Sequence, residues 1–482
     1  MSSQRKNSIS KNAFHLFYST VFSSGLNAIT LVILANYLDS RSYGLFSVAL
    51  AYALIMGYLT DAGINVVVLR EGAKAGAHLP AIMSSFVKVR LVLLIITFIG
   101  GFCLVQWLYE GQPELMETIY YLMFPMVTGL ALQSISITYF QLIEEMHYLG
   151  IIRICSAVFL IAAVFIGLLF SLSPLFICLL YGSAYLLAGG IGFYLAAKRT
   201  AIRLRSSFHK GLLKNLLSFT VSGLLIVVLP QLGPIVLEKT LTFKQVGFFA
   251  VAYRIPSALY QVPGVLAGAF YPALFKSYHN HGLAGHLRLN ILQLKLMALA
   301  GMAMTVPLYY LPDMIIRSLF GSEWLFASGA LQILSFLLVL QSVNVALADG
   351  LTTKDLQSRR TAVQALALIG GIGFYIGFSR QYGVEGAAFA GIAVEIVSLA
   401  GLWLFNPSRK TLAVKGLLPY LVCFFFLFAV LAHFFSGSPI VAASLHLLCL
   451  LIMAAVDPDV IGRLMNRTKQ PAVREGKDET FY

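Results

Sequence analysis

Fourteen long apolar stretches, separated by short polar joints, run through this 482-residue chain from Phe14 to Val456. A run of about 18 or more apolar residues is long enough to cross the hydrocarbon core of a bilayer. A soluble chain does not carry 59% hydrophobic and only 11% charged residues. The fold class is therefore an all-α polytopic membrane protein. The spans are expected at 14–37, 44–69, 89–108, 118–140, 149–171, 175–197, 215–237, 245–270, 291–311, 326–347, 361–379, 384–405, 416–435 and 439–456.

Nothing between the spans is large enough to fold alone, since the longest polar joint, 198–214, is far below domain size. The net charge of +14 would suggest nucleic acid in a soluble protein. Here the basic residues fall in joints, where they orient the chain in its membrane. With both termini cytoplasmic, the inner joints and inner span ends together hold 28 Lys and Arg, the outer loops hold five, and the remaining one, Arg254, lies within a span. The first span is read as retained, because no small-residue cleavage site follows it. Cys103, Cys155, Cys178, Cys423 and Cys449 all sit in apolar runs, as small buried hydrophobes rather than metal ligands. No cofactor-binding loop, nucleophile elbow or metal motif stands out.

An internal echo occurs at an offset of 203 residues. The segment 38–49 aligns with 241–252, and five of twelve positions are identical, Gly44 with Gly247 among them. Six spans separate the copies, so both run the same way through the membrane. Two six-helix lobes related by a pseudo-two-fold axis along the membrane normal follow, with two further helices at the C-terminus. The expected units are a first lobe over 1–197, a linker over 198–214 and a second lobe over 215–405. Helices over 406–456 and a cytoplasmic tail over 457–482 complete the chain.

Polar residues within spans mark candidate sites, because burying them in lipid is costly. Arg254 counts to about 15 Å below the outer face, where a guanidinium fork suits phosphate oxygens. The structural alternative is an ion pair with Glu395, which counts to a similar depth. Asp61 is a candidate for ion coupling, as is Glu395; the alternative for Asp61 is an anchor for the Asp61-Ala62-Gly63 bend. Ser19, Ser23 and Asn27 repeat every four residues and share a face of span 1. Span 7 carries Ser218, Thr220, Ser222 and Gln231, with Pro230 and Pro234 to bend it. Ser23, Asn27, Gln231, Arg254 and Glu395 are the candidate substrate-binding set. Gln341 and Asn344 in span 10 either touch sugars or bond neighbouring helices.

Several segments carry a resemblance. These are Leu38–Gly44, Leu59-Thr-Asp61-Ala-Gly63 with Arg70-Glu71, Gly247 through Arg254 with Pro272, and Tyr382-Gly383 through Gly386 to Glu395. Taken in order they resemble the polysaccharide-biosynthesis membrane transporters, the lipid-linked oligosaccharide flippases of the MATE-like (MOP) superfamily. The resemblance implies alternating access around a central cavity in a bacterial cytoplasmic (inner) membrane. It implies a polyprenyl-diphosphate-linked oligosaccharide as cargo, membrane lipids as surroundings, and a polymerase and glycosyltransferases of the same pathway as partners. It implies neither an enzyme nor a nucleic-acid binder. Arg254 is the position it points to for the diphosphate. The chain departs from the lipid II flippases in lacking a cluster of mid-span arginines. Two rivals stand: a membrane glycosyltransferase or polymerase, which wants a sizeable outer loop, and a cation-coupled exporter, which wants acids deep in the first lobe. The longest outer segments are 109–117 and 312–325, and only Asp61 is deep in that lobe.

Overall fold

The computed structural model describes residues 2–460 except 75, 204, 206, 214, 215 and 436. It describes side chains from residue 18 onward, with 216–219, 222 and 281 also excepted. Ser218 and Ser222, and the basic tail residues beyond 460, lie outside the described residues. The described residues form helices joined by short turns and contain no strand.

Among the described residues, twelve helices are long and apolar enough to cross a membrane. They resolve into fourteen passes for a simple reason of length. The helix Gln357–Leu404 has 48 residues, about 72 Å at 1.5 Å per residue and more than twice the hydrocarbon thickness. Gly383 breaks it with φ 59° and ψ −130°, a left-handed turn that glycine takes without steric cost. It therefore makes two passes, 357–382 and 384–404. The helix Leu216–Leu237, 22 residues long with Pro230 and Pro234 inside it, supplies the remaining pass.

In chain order the passes are α1 (Tyr18–Tyr37), α2 (Ser40–Gly72), α3 (Leu79–Leu108), α4 (Pro113–Leu142), α5 (Met146–Leu169) and α6 (Pro174–Arg199). Then come α7 (Leu216–Leu237), α8 (Phe243–Asn280), α9 (Gly282–Tyr310) and α10 (Ser322–Thr352). The two halves of 357–404 are α11 and α12, followed by α13 (Arg409–Phe434) and α14 (Pro439–Val456). A short helix, Pro312–Phe320, caps the joint between α9 and α10.

Packing follows the expected lobes. Helix α4 lies along α6 and α2, and α1 along α5; α9 lies along α10, and α10 along 357–404. The pair α13–α14 rests on α9. Lipid gives no hydrophobic drive between such helices, so close packing and hydrogen bonds hold them. The apolar core is continuous across both lobes on the face that carries the joints 38–39 and 238–242. Toward the opposite face it divides into one cluster for each lobe. The lobes are thus joined at one end, here termed the closed face, which is the face predicted to lie outside.

The echo residues occupy that junction. A methyl on Gly44 would lie 1.9 Å from the carbonyl oxygen of Phe243, and one on Gly247 would lie 2.0 Å from that of Ser40. Residues 40 and 243 are themselves 203 apart. The contact is reciprocal, as a two-fold axis through the crossing of α2 and α8 requires.

Three charges counted at the inner ends of spans lie deeper in their helices than the sequence placed them. Arg90 lies in α3, Arg153 in α5 and Lys295 in α9, because those helices begin earlier than their apolar runs. Arg254 is therefore not alone within the spans. Arg90 is 2% exposed, donates to Thr60 Oγ1 at 3.0 Å and stands 3.6 Å from Asp61 Oδ1. Arg153 reaches Thr20 Oγ1 at 2.6 Å and ties α5 to α1.

Candidate functional site

A cavity of about 380 Å³ lies between α1, α8 and the short helix Pro312–Phe320. Helix α1 presents Ser24, Asn27, Ala28 and Leu31 to it, positions i, i+3, i+4 and i+7 of one helix face. Helix α8 presents Arg254, Ser257 and Gln261. The polar row on α1 is therefore rotated from the sequence expectation. Ser23 is buried and donates to the Thr20 carbonyl at 3.2 Å; Ser24 takes its place in the lining.

Arg254 lies eleven residues below Phe243 in α8, about 16 Å along its axis. It forms no ion pair with a carboxylate among the described residues. The expected alternative, a pair with Glu395, does not form, since the two line different cavities. The Tyr43 hydroxyl faces the guanidinium but falls outside hydrogen-bond geometry. Asn27 Oδ1 is likewise buried without a partner. A buried polar atom left unpaired costs about 1–3 kcal/mol. Two of them beside an unpaired guanidinium fit a surface shaped for a polar ligand rather than for internal packing.

Glu395 lines a second cavity of about 240 Å³ inside the second lobe, bounded by α7, α8, α10 and 357–404. Gln341 Nε2 donates to Glu395 Oε1 at 3.0 Å, and Asn344 Nδ2 to Oε2 at 2.7 Å. Arg360, Gln364 and Tyr260 share this cavity. Gln231 is half-buried and lines neither cavity.

Asp61 ends the long segment of α2. Ala62 and Gly63 follow in left-handed conformations, at φ 47° and 75°, and Asn65 N donates to Asp61 Oδ1 at 3.3 Å. With Arg90 beside it, Asp61 anchors a bend and balances a buried cation. We expect Asp61→Ala to destabilise the protein by about 3–5 kcal/mol, because the guanidinium of Arg90 is left uncompensated. Thermal unfolding of the detergent-solubilised protein measures this. An unchanged midpoint would contradict it.

The closed face carries a polar lattice that no spacing in the sequence signals. Tyr52 and Tyr109 hydroxyls meet at 2.7 Å, and Tyr109 donates to Glu238 Oε1 at 2.7 Å. Lys239 donates to the Leu108 carbonyl at 2.9 Å with its ammonium 4.0 Å over the Tyr109 ring. Asn36 donates to the Leu319 carbonyl at 2.7 Å. Each link after the first joins the first lobe to the second. Burial holds the Glu238 carboxyl above the ordinary glutamate range, against the opposing pull of Tyr109 and Lys239. Tyr109→Phe removes the bridging hydroxyl, and we expect about 1–3 kcal/mol of the closed-face junction to go with it. Hydrogen exchange at 105–110 and 237–241 reports the loss; unchanged protection there refutes the bridge.

A multi-pass helical protein with two lobes joined at one face and an arginine-bearing cavity between α1 and α8 has the fold of the MOP-superfamily transporters. Solved structures carry the same fold. An inward closed lipid II flippase MurJ is 15% identical, with a TM-score of 0.64 over 91% of this chain and 98% of that one. An inward-facing multidrug resistance MATE transporter is 13% identical, with a TM-score of 0.68 over 82% and 95%. A MOP transporter from Pyrococcus furiosus is 15% identical, with a TM-score of 0.60 over 85% and 96%. No curated protein matches the chain by sequence. Residues 9–278 match the model of the polysaccharide biosynthesis protein family. The chain belongs to that family.

Proposed function

We propose that this protein carries a polyprenyl-diphosphate-linked oligosaccharide from the cytoplasmic to the outer leaflet by alternating access. The observation that carries the proposal is the Arg254 guanidinium, unpaired with any carboxylate, in a cavity between the lobes. A diphosphate does not cross hydrocarbon unaided, because an unpaired charge there is very costly. A planar cation lining the cavity lowers that cost and binds phosphate oxygens in a bidentate fork. Both walls of the opening are apolar on their outer faces: Val21, Phe22 and Ile29 on α1 and Val262 on α8 are exposed. A polyprenyl tail can stay in lipid there while its head enters.

The fold alone leaves the cargo open, since a lipid II flippase and multidrug transporters both have it. Family membership and the unpaired guanidinium favour the lipid-linked sugar. The cation-coupled exporter reading loses its first-lobe acid, because Asp61 is engaged by Arg90. In this reading the membrane is the bacterial cytoplasmic one and both termini are cytoplasmic. The segment 198–214 links lobes 1–197 and 215–405, and the polymerase and glycosyltransferases of the pathway act on either side of the step.

The direct test is reconstitution into liposomes holding a lipid-linked oligosaccharide with a labelled sugar. We expect the label to become accessible from the opposite leaflet only when protein is present. In cells, deletion should accumulate undecaprenyl-diphosphate oligosaccharide on the cytoplasmic side. Equal accessibility with and without protein would end the proposal.

A further inference from the structure

Arg254 accounts for the diphosphate but leaves the second cavity, around Glu395, without a role. That cavity measures about 240 Å³, below the ~300–1,000 Å³ of a drug-sized pocket. It admits one small ring, not an oligosaccharide. Its lining mixes donors and acceptors. Both Glu395 oxygens already accept one amide hydrogen bond each, from Gln341 and Asn344. Asn344 is 6% exposed, also donates to the Glu395 carbonyl at 3.0 Å, and leaves its own Oδ1 buried without a partner. Arg360 and Gln364 bring further N–H donors to the same space.

This composition discriminates among ligands. A metal cation would share the cavity with the Arg360 guanidinium, and an anion would share it with the Glu395 carboxylate. A purely structural network would not leave Asn344 Oδ1 unpaired, because buried polar groups find partners. A neutral polyhydroxyl ring suits all of these groups at once. Each hydroxyl donates to Asn344 Oδ1 or Glu395 while accepting from Arg360 or Gln364. Tyr260 adds an apolar ring face with a polar tip.

We infer that the Glu395–Asn344–Arg360 cavity is a sugar subsite that receives one pyranose ring of the lipid-linked head group. The inference rests on the flippase reading above. Tyr253 and Arg254 are consecutive in α8. Tyr253 lines a small extension of the sugar cavity, about 50 Å³ with Glu395 and Gln341 in its wall, and Arg254 lines the other cavity. The two sites therefore flank one turn of a single helix, about 10 Å across. That is the reach of a diphosphate and its first sugars.

The test compares binding of undecaprenyl diphosphate with that of the same lipid bearing one glucose, galactose or N-acetylglucosamine. The full-length protein is presented in nanodiscs. We expect at least one sugar-capped lipid to bind roughly tenfold tighter than the bare diphosphate, the scale of one or two hydrogen bonds. Asn344→Ala should bring that ratio close to one while leaving affinity for the bare lipid unchanged. Gln364→Ala, at a half-buried position, should lower the ratio in the same way if Asn344→Ala fails to fold. A wild-type ratio of one for all three sugars overturns the subsite, as does a ratio that survives in the folded variants. If the wild type binds not even the bare diphosphate lipid, the flippase reading fails first.

Discussion

Replacing Arg254 by alanine should abolish transport, while replacement by lysine should leave a small, measurable remainder. The difference lies in geometry. An alanine removes both the charge and the fork. A lysine restores one positive charge at the end of a flexible stem but cannot grip two phosphate oxygens in a plane. A hydrogen bond to a charged group contributes about 1.5–3 kcal/mol, so losing two should slow transport by at least a hundredfold. Lysine should recover part of that, leaving a deficit of roughly tenfold. Because Arg254 forms no ion pair with a carboxylate among the described residues, removing it strands no buried anion, and the protein should still fold. Thermal stability near that of the wild type, with lost sugar translocation in liposomes, is the expected pair of results. Full complementation by Arg254→Ala would remove this side chain from the mechanism.

The architecture was legible because the membrane leaves few options. A chain with fourteen apolar runs must satisfy its backbone internally, and helices do so. The joint between spans 361–379 and 384–405 was readable from the polar residues that separate two apolar runs, and Gly383 makes the turn there. The repeat at 38–49 and 241–252 told more than its five identities suggest, since Gly44 and Gly247 meet on the axis it implied. Helix starts were harder to place. Arg90 and Arg153, at the starts of spans 89–108 and 149–171, were counted with the joints because charge was taken to mark a span's end. A helix instead continues past the apolar run whenever a partner such as Thr60 or Thr20 receives the guanidinium.

The candidate site was only partly legible. Helical periodicity gave the face of α1 to within about one position, so Asn27 lines the cavity and Ser23 does not. Depth counting put Arg254 and Glu395 at the same level, but depth carries no azimuth around the helix. They therefore seemed able to pair, whereas the turn of α8 sends Arg254 to one cavity and Glu395 lines another. Tyr109, Glu238 and Lys239 carried no signal at all. Their role arises from a contact between segments about 130 residues apart, and no local pattern encodes such a distance.

The glycine crossing carries the second large prediction. Gly44→Ala would place a methyl 1.9 Å from the Phe243 carbonyl oxygen, and Gly247→Ala one 2.0 Å from that of Ser40. The obstructing atoms are backbone, so no side-chain rotation relieves the clash. The lobes must move apart at the closed face. Overpacking a well-fitted site ordinarily costs about 1–3 kcal/mol, and a rigid backbone obstacle puts this case at or above the upper end. That cost falls only on conformations in which α2 and α8 touch here, so each substitution should shift the population away from closure of this face. By the arithmetic of two-state equilibria, about 3 kcal/mol changes the ratio of states by more than a hundredfold. Cysteines placed at 36 and 319, where Asn36 reaches the Leu319 carbonyl across the lobes, should cross-link readily in an otherwise cysteine-free protein. The same pair should cross-link poorly once Gly44→Ala is added, and transport should fall with it because alternation needs both faces to close. Since the two glycines are related by the pseudo-two-fold axis, Gly247→Ala should produce the same defect. The double substitution should add little beyond either alone, since one wedge already separates the helices. Unimpaired cross-linking in both single variants would show that this contact does not hold the lobes together.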